Sequence, residues 1–290
     1  MPLLELKELN SRYNYFDPMQ AIAAGANFKS IFLGAEPFPH IVIDNFLDIE
    51  ILRQVVREFP IRRPAELLES KYQHLKDTFQ PSDIESALIR NLLTELTQGA
   101  ILSFLTAATG IEHLIPDPYF VGAGLHETRA GGCLAIHADF NLSKPMRIQR
   151  RLNLIVYLNE NWREDWGGHL ELWDRKAKCC VKRIAPIMNR AVIFQTDLDN
   201  FHGHPQPLAC PENRSRRSIA MYYFIAPEKG IVSLPRRAAD FRRTYNENTW
   251  PLCSRDWKRW MTSFAVDITP PIVYRALRHL AKQLDESKEG

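Results

Sequence analysis

The sequence lacks the features that mark disulfide-rich, membrane-spanning and nucleic-acid-binding proteins. Its 5 cysteines are odd in number and form no C-x-x-C pair, so neither a disulfide framework nor a zinc–thiolate site is expected. It contains no apolar run of the roughly 18 residues that a membrane-spanning helix needs. Its net charge of +3 is too small to indicate a nucleic-acid partner. These absences leave a globular protein with reduced thiols.

The length and composition suit one structural domain with a substantial core. The chain has 290 residues, of which 45% are hydrophobic and 24% are charged. The first residues, Met1 to Glu8, carry acids and lack the basic-then-apolar order that is typical of a secretion signal. We therefore expect a cytoplasmic protein, with the inner face of a membrane as the alternative location.

Residues 1–115 are predicted to supply a strand and helices that support the core. Asp17-Pro18 is typical of the start of a short helix, because Pro fits the first helical turn. The apolar, β-branched run at residues 38–44 predicts a strand. Asp48 is placed to cap a helix over residues 49–59, where apolar side chains recur at helical spacing.

A polar segment separates this part from a second helical stretch. Residues 61–80 are irregular, which is typical of a connecting loop, and a loop lying over an active site is the alternative. Ser82-Asp-Ile-Glu85 has the spacing of a capping box and predicts one long helix to about Leu105. Thr109-Gly110 is expected to end this stretch.

From residue 116 the pattern changes to short strands. Runs rich in β-branched and aromatic residues alternate with Gly, Pro, Asn and Asp through residues 116–230, with no helical pattern between them. Many short strands separated by turns predict an antiparallel jelly roll. We predict a mainly β fold with flanking helices: a double-stranded β-helix (jelly-roll, cupin-like) core, N-terminal helices packed outside it, and a C-terminal helical tail.

The C-terminal tail, residues 231–290, carries the excess positive charge of the chain. It has 11 Lys or Arg against 7 Asp or Glu. Apolar residues from Ile272 to Leu284 recur at helical spacing after Pro270-Pro271. We expect a basic, Trp-containing helical extension packed on the core. Peripheral contact of its basic face with an anionic membrane or a partner is the alternative.

The strongest chemical motif is the pair His137 and Asp139. The two residues are two apart on a predicted strand, so their side chains point to the same face. An imidazole beside a carboxylate can chelate a divalent metal. One further histidine would complete the two-histidine, one-carboxylate triad of non-haem Fe(II) oxygenases. His202 and His204 are both candidates for this third ligand.

Further motifs follow this pair in a recognisable order. They are Tyr157-Leu158-Asn159, Trp162, Gly167-Gly168-His169-Leu170, Pro186-Ile-Met-Asn189, Phe201-His202 and Arg214-Ser-Arg216-Arg217. With the His-x-Asp pair, this set resembles the 2-oxoglutarate- and Fe(II)-dependent dioxygenase superfamily, specifically its prolyl-4-hydroxylase-like branch, over about residues 117–226. The resemblance implies Fe(II), 2-oxoglutarate and O₂, with ascorbate in a supporting role.

The resemblance also favours one of the two candidate ligands. His202 follows Phe201 and precedes Gly203, as the distal histidine of the family does. His204 falls where the family usually has an apolar residue. We therefore expect His137, Asp139 and His202 to bind the metal, with His204 as the alternative third ligand or as a residue that faces the substrate.

The far carboxylate of 2-oxoglutarate needs a planar, bidentate cation, which is arginine rather than lysine. Arg216 matches the family strand because it lies eight residues before Phe224. Its gap of fourteen residues from His202 is longer than usual in the family. Arg214, ten residues after His204, is the alternative if His204 is the ligand.

Other residues are assigned to the co-substrate and the substrate. Tyr157 matches the family tyrosine that binds the 2-oxoglutarate carboxylate, and Leu170 matches the apolar residue that packs on its carbon chain. Asn153 shares the strand face of Tyr157. A basic insert between strands suggests an anionic substrate. The candidate substrate residues are Lys144, Arg147, Arg150, His126, His204 and Asn153.

The resemblance implies an enzyme that hydroxylates an unactivated C–H bond while 2-oxoglutarate is oxidised to succinate and CO₂. The main expectation is an anionic substrate, either a small metabolite or an acidic sugar or glycolipid. A prolyl-type hydroxylase of protein residues is one alternative. A non-catalytic jelly-roll binding or sensor protein is another, which the loss of a ligand or of the arginine would favour. The sequence does not indicate the oligomeric state.

Overall fold

The computed structural model describes residues 1–10, 13–61, 72–143, 146–226 and 239–242. The predicted C-terminal helix and the candidate substrate residue Lys144 therefore lie outside the described residues. No helix among the described residues is long and apolar enough to cross a membrane.

Within the described residues, five helices precede the main run of strands. They are α1 (Pro18–Ala26), α2 (Lys29–Leu33), α3 (Ile49–Arg57), α4 (Ala87–Glu95) and α5 (Gly99–Thr109). The Asp17 side chain accepts hydrogen bonds from two amide groups at the start of α1, and Asp48 does the same for α3. The predicted start of a helix at Asp17-Pro18 and the predicted Asp48 cap are confirmed. The C-cap residue of α5 is Gly110, which adopts the left-handed conformation.

The predicted long helix over residues 82–105 is wrong, because the chain divides it in two. A short 3₁₀ turn at Pro81–Asp83 comes first, and α4 begins after Ser86, whose hydroxyl accepts from the Ile89 amide. The chain leaves the helical path between α4 and α5. Gly99 at the start of α5 is the sequence signal for this break, since Gly is a poor residue for a helix interior.

The strands form one large curled antiparallel sheet and a separate hairpin. The hairpin is β1 (Leu6–Asn10) and β2 (Tyr13–Phe16). The remaining strands are β3 (His40–Ile43), β4 (Gln73–Phe79), β5 (Ile115–Pro116), β6 (Gly124–Ala138), β7 (Gln149–Tyr157), β8 (Leu170–Trp173), β9 (Cys180–Ile184), β10 (Ala191–Gln195), β11 (His202–His204), β12 (Ser215–Ile225) and β13 (Asp240–Phe241). Their main order is β3-β10-β7-β12-β6-β11-β8-β9. The predicted mainly β fold with a jelly-roll core is confirmed.

The predicted loop at residues 61–80 is wrong for its last part, which is strand β4. This strand pairs with β6, with Lys76 opposite Thr128 and Phe79 opposite Leu125. β4 therefore adds an edge to the sheet and turns alternate side chains toward the interior of the fold.

Strand β6 is the longest strand and bends at Gly131 and Gly132. Its first part pairs with β12, and its last part pairs with β11. Gly131 has a φ of +77°, and a Cβ on Gly132 would lie 2.8 Å from the His74 carbonyl oxygen. Only glycine fits this corner, which carries one strand from one part of the curled sheet to the other.

Alternation along β7 separates the core from the site. Leu152, Leu154 and Val156 are fully buried in a cluster that also contains apolar residues of all five helices. Each such side chain contributes about 1.5–3 kcal/mol by its burial. Asn153 and Ile155 point to the opposite face and line a cavity inside the curled sheet. The helices thus stabilise one face while the other face is left for the site.

Candidate active site

Three potential metal ligands meet where β6 and β11 pair. His137 lies directly opposite His202, and Asp139 follows the end of β6. The Asp139 carboxylate lies 3.7 Å from the Nε2 of His137 and 3.6 Å from the Nε2 of His202. One ligand atom from each of the three residues falls within 4.8 Å of the other two. Two imidazoles and one carboxylate are a donor set that fits Fe(II).

Both imidazoles are oriented by backbone carbonyl groups. The Nδ1 of His137 lies 2.9 Å from the Ala135 carbonyl oxygen, and the Nδ1 of His202 lies 3.1 Å from that of Asn200. Because a carbonyl can only accept, each Nδ1 donates its hydrogen and each Nε2 keeps a free lone pair. Burial, and then the neighbouring His202, lower the pKa of His137 to about 4, and burial also lowers the pKa of His202. Both rings are therefore neutral and able to bind metal near pH 7.

Asp139 is held as a carboxylate by its neighbours. Asn153 Nδ2 donates to its Oδ2 over 2.9 Å, and the Arg150 guanidinium lies 3.1 Å from the same oxygen. Burial alone would raise the pKa of Asp139, but Arg150 and the two imidazoles outweigh it and hold the pKa at about 2. Arg150 is itself fixed, because its guanidinium stacks 3.5 Å from the centre of the Tyr222 ring.

The structure distinguishes the two candidate third ligands. His202 belongs to the cluster of ligand atoms, whereas His204 lines the cavity without joining that cluster among the described residues. We expect His202→Ala to abolish Fe(II) binding and His204→Ala to retain it, as measured by metal titration of the purified proteins. The two variants serve as each other's control. Loss of metal from His204→Ala alone would reverse the assignment.

The candidate carboxylate anchor lies in the same cavity, on β12. The Nε of Arg216 donates to the Gly168 carbonyl over 2.7 Å, and its Nη2 donates to the Tyr157 hydroxyl over 3.1 Å. Burial raises the pKa of Tyr157, so its hydroxyl keeps a hydrogen to share. Gly168 has a φ of +71°, and a Cβ there would lie 2.6 Å from Leu208. This glycine thus lets its carbonyl orient the arginine.

Arg216 lines the cavity, and Arg214 does not. Arg216 is buried and lines the cavity, whereas Arg214 donates to the Glu160 carbonyl and lies over the Trp166 ring. Among the residues that the structure describes, only Arg216 of this pair faces the metal ligands across the cavity. This placement supports Arg216 as the anchor.

Most of the other predicted residues also line the cavity, whose volume is about 240 Å³. Leu170, His126, Asn153 and His204 contribute to its wall. Tyr157 lies behind it and reaches it through Arg216. This volume exceeds the roughly 30 Å³ share of one water several times over, so a small dicarboxylate fits.

The predicted basic substrate loop is not one patch in the structure. Arg150 is buried against Asp139 and Asn153, whereas Arg147 is exposed. Lys144 lies outside the described residues. The role of Arg147 in substrate binding stays a prediction, and the geometry makes Arg150 a residue that positions the candidate metal ligand.

Sequence reasoning missed several residues of the cavity wall, among them Lys76 and Phe241. Phe241 stacks on His137 with ring centres 5.0 Å apart. Tyr72 also stacks on Phe241, with ring centres 4.3 Å apart. Lys76 belongs to the segment that was predicted to be a loop. The alternation of Lys76 and Thr78 with Asp77 and Phe79 was the available signal of a strand with a polar inner face.

Known proteins are similar to this chain over the part that carries the candidate site. A family model described as the 2OG-Fe(II) oxygenase superfamily matches residues 123–224. The Mus musculus protein named prolyl 3-hydroxylase OGFOD1 is 28% identical over 210 residues, which cover 68% of this chain and 34% of that protein. This chain therefore aligns with about a third of the length of that curated relative.

Solved structures give weaker likenesses. A prolyl hydroxylase from Trichoplax adhaerens, in complex with a hypoxia inducible factor peptide, has a TM-score of 0.49 and 20% identity, covering 71% of this chain and 91% of that one. A Pseudomonas putida prolyl-4-hydroxylase has a TM-score of 0.44 and 15% identity, covering 70% and 98%.

These matches support the resemblance to the 2-oxoglutarate- and Fe(II)-dependent oxygenase superfamily that the motifs predicted. The matched region, residues 123–224, contains the triad, Tyr157 and Arg216. That superfamily consists of oxygenases that use Fe(II) and 2-oxoglutarate, which is the class of enzyme that the motifs indicated.

Proposed function

We propose that the protein is a prolyl-type hydroxylase that acts on a residue of a protein substrate. The observation that carries this proposal is the similarity over 210 residues to a relative named as a prolyl 3-hydroxylase. That similarity favours the prolyl alternative over the anionic metabolite or glycan that was our main expectation from the sequence. The intact candidate triad and arginine disfavour a non-catalytic binding protein.

The proposed roles follow from the geometry. His137, Asp139 and His202 hold Fe(II), and Arg216 with Tyr157 binds the far carboxylate of 2-oxoglutarate. When bound, the metal and co-substrate supply the oxidising chemistry that places one oxygen atom of O₂ in a C–H bond, while the other enters succinate as CO₂ is released. The protein positions these groups and the target C–H bond.

Exclusion of water is the second task of the protein. Leu170 and Ile155 contribute apolar surface to the wall of the cavity, and Phe241 stacks on His137. A water-poor wall strengthens the charge interactions that orient the co-substrate.

The test is hydroxylation of a defined peptide library by the purified protein with Fe(II), 2-oxoglutarate and ascorbate. We expect a mass gain of one oxygen atom on proline-containing peptides and an equal amount of succinate. Peptides with each proline replaced by alanine are the matched substrate control, and Asp139→Asn is the enzyme control. Succinate release stimulated by an anionic metabolite or acidic glycan, with no peptide oxidised, would refute the prolyl proposal and restore the earlier expectation.

A further inference from the structure

Lys76 is a buried lysine for which the described part of the chain provides no acidic partner. Its side chain lines the cavity, and the residue is 7% exposed. Its Nζ donates to the Thr78 hydroxyl over 3.4 Å, a long and neutral contact. No carboxylate of the described residues lies within ion-pair distance of this Nζ. Buried ammonium groups are normally paired, because removing a charge from water is costly.

Lys76 and Arg216 occupy one row of the sheet. Thr128 on β6 lies directly opposite Lys76 on β4 and directly opposite Arg216 on β12. Side chains in register on adjacent strands point to the same face, so both cations enter the cavity from the same level. Strands β4 and β12 are separated by two inter-strand distances, or about 10 Å. Two long side chains can reach across this distance to contact one small ligand.

One histidine near this row adds an unused hydrogen-bond donor. Neither ring nitrogen of the buried His204 has a hydrogen-bond partner among the described residues. His126, two residues before Thr128, lines the same cavity and bonds to the Gly122 carbonyl. This end of the cavity therefore holds more donors than the protein itself uses, which is the condition expected of a site for an anion.

We infer that Lys76 is a second cation of the co-substrate site, placed to bind the far carboxylate of 2-oxoglutarate together with Arg216. A carboxylate offers about four lone-pair positions, so Arg216 and Tyr157 leave room for a further donor. Lys76 is buried in the same row as Arg216, whereas the larger substrate must enter from the open side of the cavity. This position favours the co-substrate over the substrate as the ligand of Lys76. The inference rests on the proposed function.

The charge of Lys76 makes the site sensitive to pH. Burial, and then repulsion by Arg216, lower the pKa of Lys76 to about 8, although Asp77 acts in the opposite direction. His126 and His204 also face this end of the cavity, and burial keeps both of them neutral. Lys76 is therefore charged below about pH 8 and loses its charge above it, so the affinity for a carboxylate should fall as the pH rises from 7 to 9.

The test is the affinity for 2-oxoglutarate, measured by calorimetry with Mn(II) in place of Fe(II), for the whole protein at pH 7 and pH 9. We expect Lys76→Gln to weaken binding about ten- to a hundredfold at pH 7, as for loss of a charged hydrogen bond. Lys76→Arg should bind at both pH values as the parent does at pH 7. The exposed Lys176 provides the matched control, Lys176→Gln, which should leave the affinity and its pH dependence unchanged.

Thermal unfolding of the ligand-free proteins shows whether a variant that binds poorly is still folded. Because Lys76→Gln removes an unpaired buried charge, its melting temperature should equal or exceed that of the parent. A folded Lys76→Gln variant that binds 2-oxoglutarate with parental affinity would overturn the inference. This holds even if that variant has lost peptide hydroxylation. Failure of the parent itself to bind 2-oxoglutarate would instead refute the proposed function.

Discussion

Asp139→Asn is expected to lower the affinity for Fe(II) by more than about a hundredfold, since loss of a supporting contact alone can cost that much. Hydroxylation and succinate release should fall below detection. The change removes the negative charge and one oxygen donor but keeps the shape of the side chain. Asparagine also leaves an oxygen for Arg150, which lies 3.1 Å from Asp139. Metal titration followed by turnover assays measures both effects.

Asp139→Ala is expected to lower the stability of the protein as well as its metal affinity, because of Arg150. That guanidinium is buried, and alanine would leave it without its carboxylate. Removing one partner of a buried ion pair typically costs about 3–5 kcal/mol of stability. We therefore expect the alanine variant to unfold at a lower temperature than the asparagine variant, which keeps an oxygen for Arg150. The exposed Asp165, which pairs with Arg163, provides the control Asp165→Asn. Metal binding by Asp139→Asn at the parental level would show that this strand is not the metal site.

Arg216→Lys is expected to lower the affinity for 2-oxoglutarate by about a hundredfold or more, although it keeps the positive charge. Arg216 directs separate nitrogens to the Gly168 carbonyl and the Tyr157 hydroxyl, and its planar fork remains aligned for a carboxylate. A lysine ammonium is a single point and cannot reproduce both contacts while it binds the ligand. Metal affinity should stay close to that of the parent, because the triad is untouched.

Calorimetry with Mn(II) and 2-oxoglutarate measures this effect. Arg214→Lys is the matched control, since Arg214 bonds to the Glu160 carbonyl outside the cavity. Its co-substrate affinity should match the parent within experimental error. The opposite ranking of the two variants would move the anchor to Arg214 and reopen the choice of His204 as third ligand.

The parts of the site that were predictable depend on residues that are close together in the sequence. His137 and Asp139 come together because they are two residues apart at the end of an extended strand, and this spacing does not depend on the rest of the chain. Asp17 and Asp48 cap helices through contacts within three residues. The family motifs added the distant residues His202 and Arg216, which no local rule brings together.

The parts that were missed depend on pairing between distant segments. β4 looks like a loop because Lys76 and Thr78 face a polar cavity instead of a core, and its partner β6 lies about fifty residues further along the chain. The ion pair between Arg150 and Asp139 was missed for a related reason, because a basic insert gives no sign that one of its members turns inward. Long-range contacts decide such positions.

The bent strand β6 links the stability of both halves of the site. Beyond its corner at Gly131 and Gly132 it carries His137, and before it Thr128 lies between Lys76 and Arg216. Strands that share one continuous ladder tend to open as a cooperative unit in hydrogen exchange. Local unfolding of β6 would therefore release the candidate metal ligands together with the residues proposed to bind the carboxylate, so a partly opened protein would hold neither the metal nor its co-substrate.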